Sequence, residues 1–439
     1  MTVSDKVIAS FRFEVLSDLR PDDHSLPAFM VSASRGFLPR TEPVTKLPSD
    51  FDILESILAR MPIKTASGKP GLLASATLGD AVHQELPDLT HAIDKYQDDL
   101  PLMNALYRDY SFLASAYLLE PCHGRFMKGQ PYGLGRQVLP KNIALPIVHV
   151  AEIAGFKPFM EYAGSYALYN YRLADPSVGP DYSNLRLIRA FEHGLDPQSS
   201  EAGFVLVHVN MVKHSGQLVS GSMAALDGCA TSDRGAFDAG MANVIDALIQ
   251  VNRVMNKMWS KSKPGDYTGF RTFIFGITGQ SMFPDGVIYE GIPLCDNLLQ
   301  INMPVTPLTD ILTDFRAYRP GNHREFLEWV RDHSQAVGLK AYALQDATSA
   351  ALYLSALNQV RDFRWRHWCF TREYILKRTA HPTATGGSPI VTAVLTQMLE
   401  VSGRCGGNAG VGEIVDLVRS QQETLKKEVG KYCADRGVA

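Results

Sequence analysis

Residues 352–374 read LYLSALNQVRDFRWRHWCFTREY, and this stretch constrains the fold more than any other in the chain. Val360, Phe363, Phe370 and Tyr374 recur at steps of three and four, so the run is predicted to be one long amphipathic helix. His367 lies on its apolar stripe and should face inward. A buried imidazole needs a partner. A backbone carbonyl or a carboxylate would serve, and so would a metal, to which a neutral imidazole nitrogen is a common ligand.

A second histidine shares this property. Phe204, Val207, His208 and Met211 occupy positions i, i+3, i+4 and i+7 of another helical run, which puts His208 on an apolar face as well. Each ring could donate to its own helix's carbonyls or to a carboxylate, or the pair could serve a metal group. The ten other histidines fall mostly in loops or beside polar residues and show no zinc or non-haem iron spacing.

The 439 residues, 45% of them hydrophobic, suffice for two or three domains and a sizeable core. Lys and Arg number 43 against 46 Asp and Glu, a net charge of −3 with no long run of either sign. That balance argues against nucleic acid or an anionic membrane surface as the main partner and favours a small molecule. Cys122, Cys229, Cys295, Cys369, Cys405 and Cys433 are scattered without a Cys-x-x-Cys pair, which suggests neither a zinc site nor a disulfide framework. No signal-peptide layout and no run of roughly 18 apolar residues is present, so a soluble cytoplasmic protein, a monomer or weak homo-oligomer, is expected.

Taken in order, the proline-dotted residues 1–48 suit extended structure, and Ser49 with Asp52 resembles the cap of a helix ending near Pro62. Residues 64–87 look loop-rich. Helices are expected over 100–119, over 139–156 entered through Pro146, and along the aromatic stripe Tyr162, Ser165, Tyr166 and Tyr169, which is core or pocket. Glycines and prolines between 175 and 203 place a domain boundary near 195. Beyond it, long periodic runs at 204–226 and 235–259, joined by a short turn at 228–234, indicate a helical bundle. An irregular segment interrupts it between 260 and 303, and helices resume at 308–318, 323–334, 340–378, 391–399 and 414–429.

Three further features bear on chemistry. Arg271 opens the apolar run RTFIFG, where a guanidinium is costly to bury unless it meets an anion: a ligand carboxylate, or Asp285 or Glu290 in a structural pair. Arg364, one turn before His367, could reach an anionic group of a ligand or a surface acid. Thr385, Gly386 and Gly387 could close over a pocket or form an ordinary linker.

The order of several pieces resembles the indoleamine 2,3-dioxygenase family, haem enzymes that open the indole ring of tryptophan with O2. They are LPKNIALP at 139–146, YAGSYALYN at 162–170, GFVLVHV at 203–209, RTFIFG at 271–276, DGVIYEG at 285–291, FRAYRPGNHREFL at 315–327, FRWRHWCFTREYI at 363–375 and TGGSP at 385–389. Together they cover about residues 100–400. The resemblance implies a mainly α fold: a smaller α/β N-terminal domain, residues 1–194, over a large all-helical domain, residues 195–439, that binds haem b non-covalently. It places His367 as the proximal iron ligand, Arg364 at a propionate, Phe204 against the indole, and Tyr162, Ser165 and Tyr166 on the distal segment. It places Arg271 at the substrate carboxylate, and Thr385 and Gly386 in the loop that closes over substrate.

Three departures accompany the resemblance. His208 stands where mammalian members carry serine, so an imidazole could contact the indole N–H or bound oxygen, as in the related tryptophan 2,3-dioxygenases. Tyr166 replaces a small aliphatic, and the small-residue loop after Gly291 is shortened or lost. The implied activity is cleavage of the indole C2–C3 bond of L-tryptophan by O2, giving N-formylkynurenine. The alternatives are a haem oxygenase of the same fold acting on a modified indole in secondary metabolism, and a haem-binding protein without turnover.

Overall fold

A computed structural model of the chain describes residues 12–194, 196–274, 291–378, 388–408 and 410–436. It is mainly helical, 64% helix against 3% strand. Helices α1 (Asp52–Arg60), α2 (Leu100–Phe126) and α3 (Lys141–Ala154) precede two short antiparallel strands, β1 (Tyr171–Leu173) and β2 (Leu185–Leu187), paired Tyr171 to Leu187. Then follow α4 (Ser200–Val212), α5 (Ser215–Thr231), α6 (Arg234–Met255), α7 (Pro264–Arg271), α8 (Gly291–Leu298), α9 (Pro307–Arg316), α10 (Gly321–Val337), α11 (Ala347–Phe370), α12 (Ser388–Ser402) and α13 (Val411–Arg436). The α/β character expected of residues 1–194 amounts, among the described residues, to that one strand pair and a few isolated bridges.

Helix α2 is the axis of the N-terminal half. Asp99 caps it, accepting from the Leu102 N–H at 2.9 Å, and Pro101 sits in the first turn, where its missing donor is not needed. Nearly every residue from Pro101 to Cys122 is buried, so the helix is enclosed on all sides rather than amphipathic. Its buried charges are paired: Asp109 takes Arg108 at 2.7 Å and Arg189 at 2.6 Å, and Arg189 also reaches Glu55 at 2.7 Å.

Several boundaries differ from the sequence reading for local reasons. Helix α3 begins at Lys141, not at Pro146, which lies inside it. The one backbone bond Pro146 forfeits is outweighed by burial of Ile143, Ile147 and Val150. The aromatic stripe after Phe159 forms only a one-turn π-helix, Tyr162–Tyr166, before β1. Ser49 does not cap α1, because the 3-10 turn Ser49–Phe51 intervenes, and residues 64–87 hold two short helices, Leu72–Ser75 and Leu78–Glu85.

The expected single helix over 204–226 is two. The Ser215 hydroxyl donates to the Val212 carbonyl at 2.6 Å and accepts from the Phe37 N–H at 2.9 Å, a local side-chain alternative to the helical ladder that separates α4 from α5. Helices α5 and α6 then form a tight hairpin: Ser232 turns left-handed at φ 60°, and Asp233 caps α6 through the Ala236 N–H at 3.0 Å. The two helices approach so closely at Gly240 that a Cβ there would collide with the backbone nitrogen of Ala225.

Helix α6 packs against α4, α5 and α11, so the hairpin and α11 form the centre of the C-terminal half. Asp346 caps α11, accepting from Thr348 and Ser349 N–H groups at 2.9 and 3.0 Å. The expected helix over 340–378 is divided into a short piece, Leu339–Ala343, then α11, then a π-helical turn, Thr371–Leu376. One hydrophobic cluster runs from Phe13 to Leu425 and crosses residue 195 without interruption. Among the described residues no helix is long and apolar enough to cross a membrane.

Candidate active site

Helix α11 ends one turn after His367, where the backbone passes from α- to π-helical bonding. A π turn widens the helix locally and recurs at functional sites. Here it brings Thr371, Tyr374 and Ile375 to a cavity of about 50 Å³ that is also lined by Phe363, His367 and Phe370 of α11. Phe204 and His208 of α4, Met255, Met258 and Tyr267 complete its wall. The sequence-derived residues Phe204, His208 and His367 are thus brought to one apolar space.

The hydrogen bonding of His208 fixes what it can offer. Its Nδ1 lies 2.7 Å from the Phe204 carbonyl oxygen, which can only accept, so Nδ1 carries the proton and the neutral ring presents a bare Nε2. Burial pushes the imidazolium pKa down to about 4, the Phe204 carbonyl opposes that shift, and the nearby His367 adds to it. The ring is held from two sides, by Phe204 at a centroid distance of 4.7 Å and by Tyr162 edge-on at 6.1 Å. Tyr162 therefore flanks the cavity through His208.

Phe363 and His367 also line a second, larger cavity of about 280 Å³. Its cationic wall consists of Arg316, Arg319, Arg331 and Arg364, and Asp296 is the one carboxylate among its described lining residues. Arg364 grips Asp296 with Nη2 at 2.7 and 2.8 Å from the two carboxylate oxygens and donates Nη1 to the Ile390 carbonyl at 3.1 Å. Its buried Nε has no partner among the described residues. Burial pushes the Asp296 carboxyl up, and the guanidiniums of Arg364, Arg316 and Arg319 oppose that rise.

Ser165, Tyr166 and Arg271 are not among the described residues that line either cavity. The Ser165 hydroxyl is engaged within its own turn, donating to the Glu161 carbonyl at 2.6 Å and accepting from the Glu161 N–H at 2.8 Å. Tyr166 is enclosed between Phe112 and Phe191, its hydroxyl 3.4 Å from Glu201, and burial beside that carboxyl holds the phenol well above its usual range. Arg271 is 1% exposed and follows the cavity residue Tyr267 by four positions, on the same face of α7. Thr385 and Gly386 lie outside the described residues, as do Asp285 and Glu290.

Sequence reasoning missed Tyr267, Met255, Met258, Asp296 and Arg316; Met255, Met258 and Arg316 lie in expected helices, but nothing in their spacing points to a cavity. It also overvalued burial. His208 is buried but His367, expected to be so, is only partly buried, whereas His123, His323 and His333 are all buried, His323 edge-on between Phe29 and Phe37 at centroid distances of 5.5 and 5.1 Å. What distinguishes His208 and His367 is the cavity they share.

The model of the indoleamine 2,3-dioxygenase family matches residues 25–302. The chain belongs to the indoleamine 2,3-dioxygenase family. Indoleamine 2,3-dioxygenase of Saccharomyces cerevisiae is 25% identical, over 94% of this chain and 93% of the relative. Indoleamine 2,3-dioxygenase nanC of Aspergillus nanangensis is 24% identical over 85% and 92%, and human indoleamine 2,3-dioxygenase 2 is 24% identical over 70% and 79%. The chain is accordingly a dioxygenase, an oxidoreductase of a family that acts on indoles and depends on haem. The residues present fit that group. Two imidazoles line one apolar space, and the adjoining cavity offers arginines in excess of its carboxylates, with one guanidinium donor unpartnered, where a haem would bring two propionates.

Proposed function

We propose that the protein is a haem-dependent dioxygenase that inserts both atoms of O2 across the C2–C3 bond of L-tryptophan, giving N-formylkynurenine. The observation that carries this reading is the shared cavity of Phe204, His208 and His367 in a chain of the indoleamine 2,3-dioxygenase family. In this reading residues 195–439 hold the haem b, and residues 1–194 close the pocket from the side of Tyr162.

His367 would hold the iron from α11, and Arg364 and Arg316, which line the cationic cavity, would meet the propionates. When bound, the haem supplies the activation of O2, chemistry that no side chain here can perform. The protein supplies position and dryness. Phe204 packs on the indole face, and Met255, Met258, Phe363, Phe370 and Ile375 exclude water from it. The bare Nε2 of His208 accepts a hydrogen bond from the indole N–H, which orients the ring without taking its proton. Arg271 anchors the substrate carboxylate through a charged hydrogen bond worth about 1.5–3 kcal/mol. Thr385 and Gly386 belong to the loop that covers the substrate.

The test is product mass. Reduced, haem-loaded protein incubated with L-tryptophan and isotopically labelled O2 is expected to yield tryptophan plus two labelled oxygen atoms. Incorporation of a single atom would replace this reading with a monooxygenase acting on indoles. Bound haem with no product from tryptophan or any substituted indole would replace it with a non-catalytic haem protein.

A further inference from the structure

Nine large hydrophobic side chains are exposed among the described residues, and five of them fall between residues 127 and 148. Met127, Leu134 and Val138, 66%, 78% and 75% exposed, belong to the connection between α2 and α3, and Leu145 and Val148 stand three residues apart on the outer face of α3. Single exposed aliphatics are ordinary, but a cluster marks an interaction surface. The connection folds back along the end of α2: the Arg136 N–H donates to the Leu118 carbonyl at 2.8 Å and the Gln130 N–H to that of Arg125 at 3.0 Å. Helix α3 then runs antiparallel beside α2, with Phe156, just beyond its far end, stacked on Tyr107 at 4.6 Å. The five aliphatic groups therefore gather around the C-terminal half of α2.

The charge of this region departs from that of the chain. Residues 121–151 contain no Asp or Glu, but they contain Arg125, Lys128, Arg136 and Lys141, a local excess hidden within the net charge of −3. Arg136 is taken by Glu120 at 2.5 Å. Arg125, Lys128 and Lys141 are exposed and form no ion pair among the described residues. Protein partners are commonly anchored by aromatic side chains seated in pockets, whereas here the rings of Phe126 and Tyr132 stack on each other at 5.5 Å and the projecting groups are aliphatic. Aliphatic tips between unpaired cations suit the boundary of a bilayer, where the tips leave water and the cations meet anionic headgroups. We infer that this surface, Met127 to Val148 at the end of α2, docks the protein on an anionic lipid bilayer. The contact is peripheral, and it is independent of the haem reading above.

The test is sedimentation of the full-length protein with vesicles of phosphatidylcholine alone and of phosphatidylcholine mixed with phosphatidylserine. The protein should sediment with the anionic vesicles, remain in solution with the neutral ones, and be released as salt is raised. Leu134→Ser combined with Val138→Ser should weaken the binding by roughly tenfold or more, because two aliphatic groups no longer leave water. Lys128→Glu combined with Lys141→Glu should weaken it as well and flatten its salt dependence. All four side chains are exposed, so both variants should keep the far-ultraviolet circular dichroism and urea midpoint of the parent. Absence of sedimentation, equal binding to both kinds of vesicle, or binding that neither variant weakens overturns the inference. So does a parent that forms dimers which Leu134→Ser with Val138→Ser dissociates, because a second copy of the chain then covers the surface.

Discussion

His208 on α4 and His367 on α11 line the same apolar cavity, although residues 213–346, including the whole α5–α6 hairpin, separate their helices in the chain. The pairing depends on tertiary packing. Helix α6 lies against both α4 and α11, and the closeness of α5 to α6, enforced at Gly240, sets the spacing of that layer. Two imidazoles facing one mostly apolar space form a donor set suited to a haem, and the arginine-rich cavity beside it suits the haem's carboxylates.

Arg271→Ala is expected to lower kcat/KM for L-tryptophan by roughly 10- to 150-fold, the loss of one charged hydrogen bond to the carboxylate. Tryptamine, which lacks the carboxylate, should be turned over equally by parent and variant. An equal fall for both substrates would show that Arg271 serves the fold instead.

The bond between Arg364 and Asp296 ties α11 to α8, with side chains 3% and 9% exposed. Arg364→Ala leaves the Asp296 carboxylate without its partner and should destabilise the protein by about 3–5 kcal/mol in urea unfolding. Arg364→Met combined with Asp296→Leu should recover most of that loss, because no charge is then stranded. A double variant as unstable as Arg364→Ala would mean that the contribution is packing, not charge.

Glu201, in the first turn of the helix that carries His208, accepts from the Phe191 and Glu192 N–H groups at 2.8 and 2.6 Å, yet burial pushes its carboxyl up to about 8. The raised value means that its contribution to stability is complete below about 4.5 and is lost as pH rises through about 8, with a slope of at most about 1.4 kcal/mol per pH unit. Glu192, also raised by burial, acts in the same direction. His208 acts in the opposite direction, but only between about 4 and 6.5. From about pH 6.5 to 8, therefore, the urea midpoint of the parent should fall, and that of Glu201→Gln should fall less. Parallel profiles for the two proteins would remove Glu201 from this role.

The helical periods around Phe204 and His367 were legible because a buried helix face repeats in sequence, and with them the mainly α class. The division of 204–226 into α4 and α5 was not, because it depends on the Ser215 hydroxyl meeting Phe37, a contact from a distant part of the chain. Likewise the π turn after Phe370 leaves the apolar pattern of 363–374 unchanged while altering which side chains reach the cavity. Asp296 has no motif around it, and only the fold shows that it meets Arg364. Burial of His208 was correctly expected, but its tautomer follows from a 2.7 Å contact that spacing alone permits and does not require.

The most direct test of the account is haem retention by His367→Ala. Both proteins would be loaded with haem, passed through gel filtration, and compared by absorption in the Soret region and by far-ultraviolet circular dichroism. The parent should retain haem, and the variant should lose it while keeping its helical signal. A helical His367→Ala protein that retains haem as the parent does would contradict the assignment of His367 as the ligand on which the site is built.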